Sequence, residues 1–256
     1  MILKIKQYKK NMAIKAITID FWNTLFDSSN GEKRNAVRMI TVVEEVKKHN
    51  SEISDELFDA SLKKTWENFN KIWFSEQRTP TPIESIEFFW KQLGLPRDDQ
   101  AVDNIAYVFA NSILEHPPLL LPKPEHLFEL SKHFKLGIVS DTGFSPGTVL
   151  RSLIHKNGIY DYFQEFSFSD ETGVSKPHSK AFLTCLSKFN VKPEEAIHIG
   201  DIEKTDVKGA KELGMKAIRF GGDPTAWVVK ENPAESLADA VLSNWDDIVN
   251  YIIENK

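Results

Sequence analysis

Three acidic side chains, a serine and a lysine of this chain stand just beyond the ends of short apolar segments. Asp20 follows the run AITI, Ser140 ends KLGIVS, and Asp201 follows AIHIG. Asp206 comes shortly after Asp201, and Lys176 follows another apolar run and a glycine. Carboxylates hold hard divalent cations, and a hydroxyl with neighbouring backbone N–H groups binds a phosphoryl oxygen. If the fold brings them together, these residue types indicate a site for a metal ion and a phosphate.

If the three acidic side chains converge, their negative charges require a cation nearby. The three are Asp20, Asp201 and Asp206. Within a few ångströms the carboxylates would repel by several kcal/mol, and the pKa of one of them would rise. One lysine cannot offset three negative charges. A hard divalent ion that prefers oxygen ligands can, so the sequence predicts a Mg²⁺ site.

Apolar runs alternate with amphipathic stretches along the C-terminal two-thirds of the chain. The runs at 135–140, 165–169, 196–200 and 216–220 are typical of β-strands, and PGTVLRSLIHK, SKAFLTCLSKF and DVKGAKELG are typical of helices. This alternation predicts an α/β fold with a Rossmann-like, doubly wound parallel sheet. Because right-handed crossovers place all the carboxyl ends of the strands at one edge, Asp20, Ser140 and Asp201 should meet there.

Residues 28–116 show helical periodicity without strand-like alternation. Breaks in it fall at Asn50, at the Thr-Pro-Thr-Pro of 79–82 and at Gly94. The segment has the size of a small domain, so we expect an all-helical cap domain at 28–116, inserted into an α/β core formed by residues 1–27 and 117–256. Its aromatic residues are expected to form the core of the insert: Trp66, Trp73, Phe74, Phe88, Phe89 and Trp90.

The polar segments resemble, in the same order, the four motifs of the haloacid dehalogenase (HAD) superfamily of hydrolases. DFWNTL at 20–25 is similar to D-x-D-G-T-L, and Ser140 to the serine or threonine of the second motif. The segments 169–177 and 200–206 are similar to S-x-E-x-G-x-x-K-P and G-D-x-x-x-x-D. The resemblance spans roughly residues 13–230, and the helical insert is similar to the C1-type cap of the superfamily.

The resemblance implies a role for each polar residue. Asp20 would attack phosphorus and become an aspartyl-phosphate. Lys176 would neutralise both the nucleophile and a phosphate oxygen. The implied ligands of Mg²⁺ are Asp20, Asp201, Asp206 and the carbonyl, not the side chain, of Trp22. The implied catalytic and substrate-binding residues are Asp20, Ser140, Asp141, Thr142 and Lys176, and the implied substrate is a small-molecule phosphate ester.

Trp22 departs from the superfamily pattern. In most phosphatases of the superfamily this position holds a second Asp, which is the general acid and base, a role typically worth about 10²–10⁴ in rate. If nothing replaces that group, we expect a slow phosphatase that favours leaving groups needing no proton. Candidates to replace it are an acid of the cap, Glu171, Asp141, Asp27 and His178, and the sequence selects none of them.

Trp22 also leaves other functions open. The 2-haloacid dehalogenases of the superfamily carry an aromatic residue at that position, but Asp201 and Asp206 would repel a carboxylate substrate. The substrate-binding cap arginine of those enzymes cannot be placed here, although Arg34 and Arg38 lie early in the insert. A phosphonatase would need one particular cap lysine, which nothing distinguishes. A non-catalytic binding module is disfavoured because unpaired buried charges are costly without a ligand.

Composition limits the partners and the compartment. A net charge of −5 gives no basic field for nucleic acid or anionic lipid, and no apolar stretch reaches the roughly 18 residues of a membrane span. The single cysteine, Cys185, is expected to be a buried structural thiol in a cytoplasmic protein. His198 is expected to be a packed core residue. Residues 1–12 can be an edge strand, a tail, or an over-long start before Met12, and the oligomeric state stays open.

Overall fold

A six-stranded parallel sheet forms the centre of the computed structural model, which describes residues 13–223, 226 and 232–255. The strands are β1 (Ala16–Ile19), β2 (Lys135–Ser140), β3 (Glu165–Phe168), β4 (Ala196–Gly200), β5 (Lys216–Phe220) and β6 (Ala240–Leu242). Their order across the sheet is β3-β2-β1-β4-β5-β6, and every pair of neighbours is parallel. The predicted α/β fold with a doubly wound parallel sheet is confirmed.

Ten α-helices accompany the sheet in the described part of the chain. They are α1 (Gly31–His49), α2 (Asp55–Glu76), α3 (Pro82–Gln92), α4 (Asp99–Glu115), α5 (Pro124–Ser131), α6 (Gly147–Lys156), α7 (Ser169–Thr172), α8 (Ser179–Phe189), α9 (Lys208–Glu212) and α10 (Trp245–Glu254). A π-helical turn, Glu203–Val207, precedes α9. No helix among these described residues is long and apolar enough to span a membrane.

The apolar runs form strands because both faces of the sheet are covered. Ile17 and Ile19 of β1 belong to a core cluster with Leu127 of α5, Leu150 of α6 and Ile248 of α10. Ala16, on the opposite face, belongs to a second cluster, which contains Phe182, Cys185 and Leu186 of α8 and Ala210 of α9. Strands covered on both faces are buried along their whole length rather than at alternate residues, and every residue of β1 and β4 is buried.

The sequence predicted most strand limits and missed the last strand and helix. The predicted strands at 135–140, 196–200 and 216–220 are observed with those limits, and 165–169 is shorter by one residue because Ser169 begins α7. β6 is only three residues long, too short for a periodicity to be read.

Cys185 is buried, as predicted, and burial raises the pKa of its thiol to about 12. The predictions for residues 1–12 lie outside the described residues.

Helices α1 to α4 follow one another between β1 and β2 and have a core of their own, within the predicted insert. Val42, Ile86, Phe89 and Ile105 belong to that core, together with Trp90. The expectation that six aromatic residues of the insert pack there holds for Phe89 and Trp90 and is wrong for the other four: Trp66, Trp73, Phe74 and Phe88. Trp66, 53% exposed, and Trp73 line a cavity between these helices and the sheet.

The connections into and out of α1–α4 are tied together. The Asp27 N–H donates to the Leu119 carbonyl at 2.9 Å, and Nη1 of Arg34 donates to the carbonyls of Ser29 and His116 at 2.7 and 2.8 Å. One buried guanidinium thus bridges both connecting segments. This fixes where the helices enter and leave the sheet.

Thr81→Ala is expected to destabilise the protein by about 1 kcal/mol, because Thr81 and Glu84 form a capping box at the start of α3. The Thr81 Oγ1 accepts from the Glu84 N–H at 3.1 Å, and the Glu84 carboxylate accepts from the Thr81 N–H at 2.7 Å. Urea unfolding measures the loss. Thr81→Ser keeps the hydroxyl and is the control; equal losses in the two variants would contradict the capping role.

Candidate active site

A cavity of about 590 Å³ lies at the carboxyl edge of the sheet, beneath α1 and α2. Asp20 follows β1, Asp201 follows β4, and Lys176 comes from the segment between α7 and α8. All three line the cavity, and residues of the inserted helices line its other side. The convergence predicted at the sheet edge is therefore observed for Asp20 and Asp201, and Lys176 lines the same cavity.

Lys176 forms a buried ion pair with two of the three predicted acids. Its Nζ lies 2.5 Å from Oδ1 of Asp20 and 2.6 Å from Oδ1 of Asp206, and all three side chains are almost fully buried. Burial would lower the pKa of Lys176, but Asp20 and Asp206 outweigh it and raise that pKa. Lys176 therefore stays an ammonium group, the charge that a phosphoryl oxygen requires.

Asp206 is saturated with hydrogen bonds in this structure. Oδ1 accepts from Lys176 and lies 3.0 Å from Nε2 of His198, while Oδ2 accepts from the Ile202 N–H at 3.1 Å and the Thr205 hydroxyl at 3.0 Å. Burial alone would raise the pKa of Asp206, but Lys176 and His198 hold it below its usual range. A Cβ on Gly200 would lie 2.4 Å from Cγ of Asp206, so only glycine lets the carboxylate approach.

His198 is buried as predicted, but it is more than core packing. Its Nδ1 lies 2.9 Å from the Thr18 hydroxyl, and Nε2 contacts Asp206, so the ring joins β1 to the acid cluster. Burial lowers the pKa of His198 and opposes its charging, despite the nearby carboxylate. A polar residue within the apolar strand AIHIG was the signal in the sequence, because a buried imidazole needs partners for both nitrogens.

Negative charge at the cavity floor exceeds what Lys176 neutralises. Burial raises the pKa of Asp20 to about 7, against the effect of Lys176 and with a further contribution from Asp206. Burial also raises the pKa of Asp201 well above its usual range, and the charges of Asp20 and Asp206 add to the effect. The amide of Asn23 donates to Oδ2 of Asp201 at 3.2 Å but brings no charge. The site therefore has a deficit of positive charge, as the sequence argument requires.

The donor set suits a hard cation, although the side chains are not gathered around one point. Among the residues that the structure describes, no group of three His, Cys, Asp or Glu side chains is arranged to hold a metal ion. Asp20, Asp201 and Trp22 all line the cavity. Carboxylates with raised pKa values are oxygen donors that a divalent ion would stabilise in their charged form. The residues present fit Mg²⁺ by their chemistry and charge.

Two hydroxyls near the site lack partners. The Oγ atom of Ser140 and Oγ1 of Thr24 are buried and have no hydrogen-bond partner among the described residues. Buried hydroxyls without a partner are rare and call for an explanation such as a ligand. Ser140 ends β2, next to β1 in the sheet, but it is not among the described residues that line the cavity.

The two residues after Ser140 differ in position. Asp141 lines the cavity, and its Oδ1 accepts from the Lys176 backbone N–H at 2.9 Å. Thr142 is turned away from the cavity. Its N–H donates to the Ser169 hydroxyl at 2.8 Å and its own hydroxyl to Oδ1 of Asp170 at 2.7 Å, so it holds the loop against α7. The structure therefore does not bring Thr142 to the substrate space.

Three of the residues suggested as a replacement acid lie outside the cavity. Asp27 accepts from Ser29 and Leu119 at the connections of the insert, and Glu171 forms an ion pair with Arg151. His178 accepts from the Lys180 N–H at 3.1 Å and caps α8. These side chains have structural partners instead.

Known proteins are similar to this chain in sequence and in fold. Residues 14–214 match the family model of haloacid dehalogenase-like hydrolases. The glyceraldehyde 3-phosphate phosphatase of Methanopyrus kandleri is 27% identical over 217 residues, which span 81% of this chain and 84% of that protein. The glyceraldehyde 3-phosphate phosphatase of Pyrococcus furiosus is 52% identical over 60 residues, which span 23% of this chain and 25% of that relative's length.

A solved structure agrees over nearly the whole chain. The 2-haloacid dehalogenase of Pseudomonas syringae pv. Tomato DC3000 superposes with a TM-score of 0.69 at 23% identity, covering 94% of this chain and 98% of that one. At this identity the likeness establishes the fold. Because the family model spans most of the chain, the resemblance to this superfamily is confirmed. The chain belongs to the haloacid dehalogenase-like hydrolase family.

Proposed function

We propose that this hydrolase is a Mg²⁺-dependent phosphatase of a small phosphorylated metabolite, acting through an aspartyl-phosphate on Asp20. The observation that carries the proposal is the buried ion pair of Lys176 with Asp20 in the wall of the cavity. It supports the proposal because the carboxylate of Asp20, the proposed nucleophile, contacts an ammonium group that can also bind phosphoryl oxygens. The phosphatase relative that aligns over most of the chain supports the same reaction.

The side chains divide the work of phosphoryl transfer. Asp20 attacks phosphorus in line with the bond to the leaving group, and that bond breaks as the aspartyl-phosphate forms. Lys176 balances charge on the nucleophile and on a phosphoryl oxygen. Ser140 donates its unpartnered hydroxyl to another phosphoryl oxygen. Water then attacks the same phosphorus, which releases phosphate and restores Asp20.

The proposed metal ligands are Asp20, Asp201 and the carbonyl of Trp22, with Asp206 beside them. When bound, Mg²⁺ neutralises the phosphoryl oxygens and the surplus charge of the carboxylates. Asp206 contributes its charge and orients Lys176, because donors already occupy both of its oxygens in this structure. His198 in turn holds Asp206 through Nε2.

The helices over the site are proposed to act as a cap. In this proposal residues 28–116 form the cap domain, and residues 1–27 and 117–256 form the core. Trp66, Phe69 and Trp73 of α2 line the cavity on the side of the inserted helices, where the leaving group would lie. Closing such a cap excludes water and selects the leaving group. A cytoplasmic location stays a prediction from the single cysteine.

Turnover of phosphate esters with and without Mg²⁺ tests the proposal. We expect p-nitrophenyl phosphate and members of a panel of sugar and triose phosphates, glyceraldehyde 3-phosphate included, to be hydrolysed with added Mg²⁺. Addition of EDTA should reduce the rate to background, because the carboxylates would again repel the phosphate. Ca²⁺ at the same concentration is the control for ionic strength. Undiminished hydrolysis in EDTA would contradict the metal, and no hydrolysis of any ester would contradict the phosphatase.

A 2-haloacid dehalogenase is the second candidate, favoured by the aromatic Trp22 and by one feature of the cap. Arg38 lines the cavity with its guanidinium Cζ 5.3 and 5.5 Å from the ring centroids of Phe109 and Phe144, and no carboxylate of the described residues pairs with it. Burial lowers its pKa to about 10, with a smaller effect of Arg34, and a bound carboxylate would compensate that cost. Asp201 also lines the cavity, and its carboxylate would repel the carboxylate of such a substrate. Chloride release from 2-chloropropionate that persists in EDTA would select the dehalogenase.

A further inference from the structure

The cavity offers few groups that can move a proton. The titratable side chains that line it are the carboxyl groups of Asp20, Asp141 and Asp201, the ammonium group of Lys176, and the guanidinium groups of Arg34 and Arg38. No histidine, glutamate, cysteine or tyrosine of the described residues lines it. Asp20 is the proposed nucleophile and Asp201 a proposed metal ligand. Asp141 is the carboxyl group left without a role.

Asp141 also follows the strand next to the one that precedes Asp20. β1 and β2 are parallel neighbours, and Ile19 of β1 is paired with Ile138 of β2. Asp20 comes directly after β1 and Asp141 directly after β2. Neighbouring strands lie about 4.8 Å apart, within the length of a side chain. Both carboxyl groups line the same cavity, together with Trp22.

Two N–H donors fix the orientation of this carboxyl group. Oδ1 accepts from the backbone N–H of Lys176, and Oδ2 accepts from the indole Nε1–H of Trp73, each at 2.9 Å. A carboxylate has about four acceptor positions, so each oxygen keeps one lone pair for a proton. One donor comes from the segment that carries Lys176 and the other from α2. The carboxyl group is therefore held at the junction of the two sides of the cavity, where the leaving group would lie.

We propose that Asp141 is the general acid and base of the phosphoryl transfer, in place of the acid that Trp22 does not supply. This inference rests on the proposed phosphatase function. As Asp20 attacks phosphorus, the bond to the leaving oxygen breaks, and that oxygen takes the proton of Asp141. The resulting carboxylate of Asp141 then removes a proton from the water that attacks the aspartyl-phosphate, and Asp141 is protonated again.

The surroundings of Asp141 keep a proton available near neutral pH. Burial raises its pKa to about 6, against Lys176 and Trp73, and Asp206 adds a smaller rise. Asp20 and Asp201 line the same cavity, and Arg34 and Arg38 face it from α1. A catalytic acid works best when its pKa lies near the operating pH. An ordinary exposed aspartate would carry almost no proton there.

Phosphate esters with leaving groups of different basicity can distinguish a catalytic acid at Asp141 from an aspartate with only a structural role. In Asp141→Asn, we expect kcat/KM for the fastest alkyl phosphate of the panel to fall by about 10²–10⁴. With p-nitrophenyl phosphate, whose leaving group departs without a proton, kcat/KM should fall less than about tenfold by the same reasoning. The steady state on this substrate should then follow a burst of p-nitrophenolate, because the water that cleaves the aspartyl-phosphate has lost its base.

A matched control separates the loss of the carboxyl group from the contact that the new amide would make with Trp73. The new amide nitrogen would face the Trp73 indole donor, so Asp141→Asn is also made in a Trp73→Phe background and compared with Trp73→Phe alone. The same dependence on the leaving group in both backgrounds supports the proposal. Equal losses on both esters would overturn it and show that Asp141 only positions Lys176, and unchanged rates would overturn it as well. If wild-type protein hydrolyses no ester in a Mg²⁺-dependent way, the proposed function fails, and this inference fails with it.

Discussion

Asp20→Asn is expected to eliminate Mg²⁺-dependent phosphate ester turnover and to leave the fold intact. The amide cannot attack phosphorus, and its NH₂ group would meet the ammonium group of Lys176, 2.5 Å from the present carboxylate oxygen. Lys176 keeps Asp206 as a partner, so no buried charge is left alone. Because the pKa of Asp20 is about 7, the neutral form is already accessible to the native fold near neutral pH.

The covalent step can be followed directly. Wild-type protein quenched in acid during turnover should carry one phosphoryl group by mass spectrometry, on the peptide that contains Asp20, and the variant should carry none. Asp103→Asn, at an exposed position of α4, is the control for the same change of side chain. A phosphoryl group on another residue, or undiminished turnover in Asp20→Asn, would contradict the assignment of the nucleophile.

The sequence was sufficient for the sheet and for the residues at its edge. Runs such as KLGIVS are apolar because both faces of the sheet are covered, so their limits could be read directly. The carboxyl ends of parallel strands share an edge, so the meeting of Asp20 and Asp201 followed from topology alone. Those inferences need only local patterns and one rule of chain geometry.

Contacts between residues far apart in the chain could not be predicted from local sequence patterns. Trp73 and Asp141 are far apart in the chain, and nothing in helical periodicity distinguishes an indole that packs in a core from one that faces a cavity. Trp66 was misassigned for the same reason. Asp27 and His178 were plausible acids by proximity in sequence, yet each is used by a local hydrogen bond that only the folded backbone reveals.

Trp22 therefore weakens the case for a phosphatase less than the sequence alone suggested. Asp141 lines the same cavity as Trp22, and the two donors on Asp141 come from parts of the chain that only folding brings together. A comparison with the first motif alone finds no acid at Trp22. In the folded protein a carboxyl group from another segment, Asp141, lines the same cavity.

Lys176→Met is expected to destabilise the metal-free protein by about 3–5 kcal/mol near neutral pH and to abolish turnover. Methionine has a similar length but no charge, so the buried carboxylates of Asp20 and Asp206 would face each other without their ammonium partner. Removing one partner of a buried ion pair costs this much because the other charge remains desolvated. Lys188→Met, which removes an exposed lysine paired with Glu165, should cost no more than about 1 kcal/mol.

The dependence of this loss on pH identifies its cause. The pKa of Asp20 is about 7 in the folded protein against 3.8 for the free side chain, so its contribution favours folding below about pH 4 and is lost as the pH rises through about 7. Without Lys176 the pKa of Asp20 should rise further, and Asp206 should lose the partner that now holds its pKa low. The difference in unfolding free energy between wild type and Lys176→Met, measured by urea unfolding in EDTA, should therefore grow from acid to neutral pH. A difference that stays constant with pH would show that the loss comes from packing rather than from unpaired carboxylates.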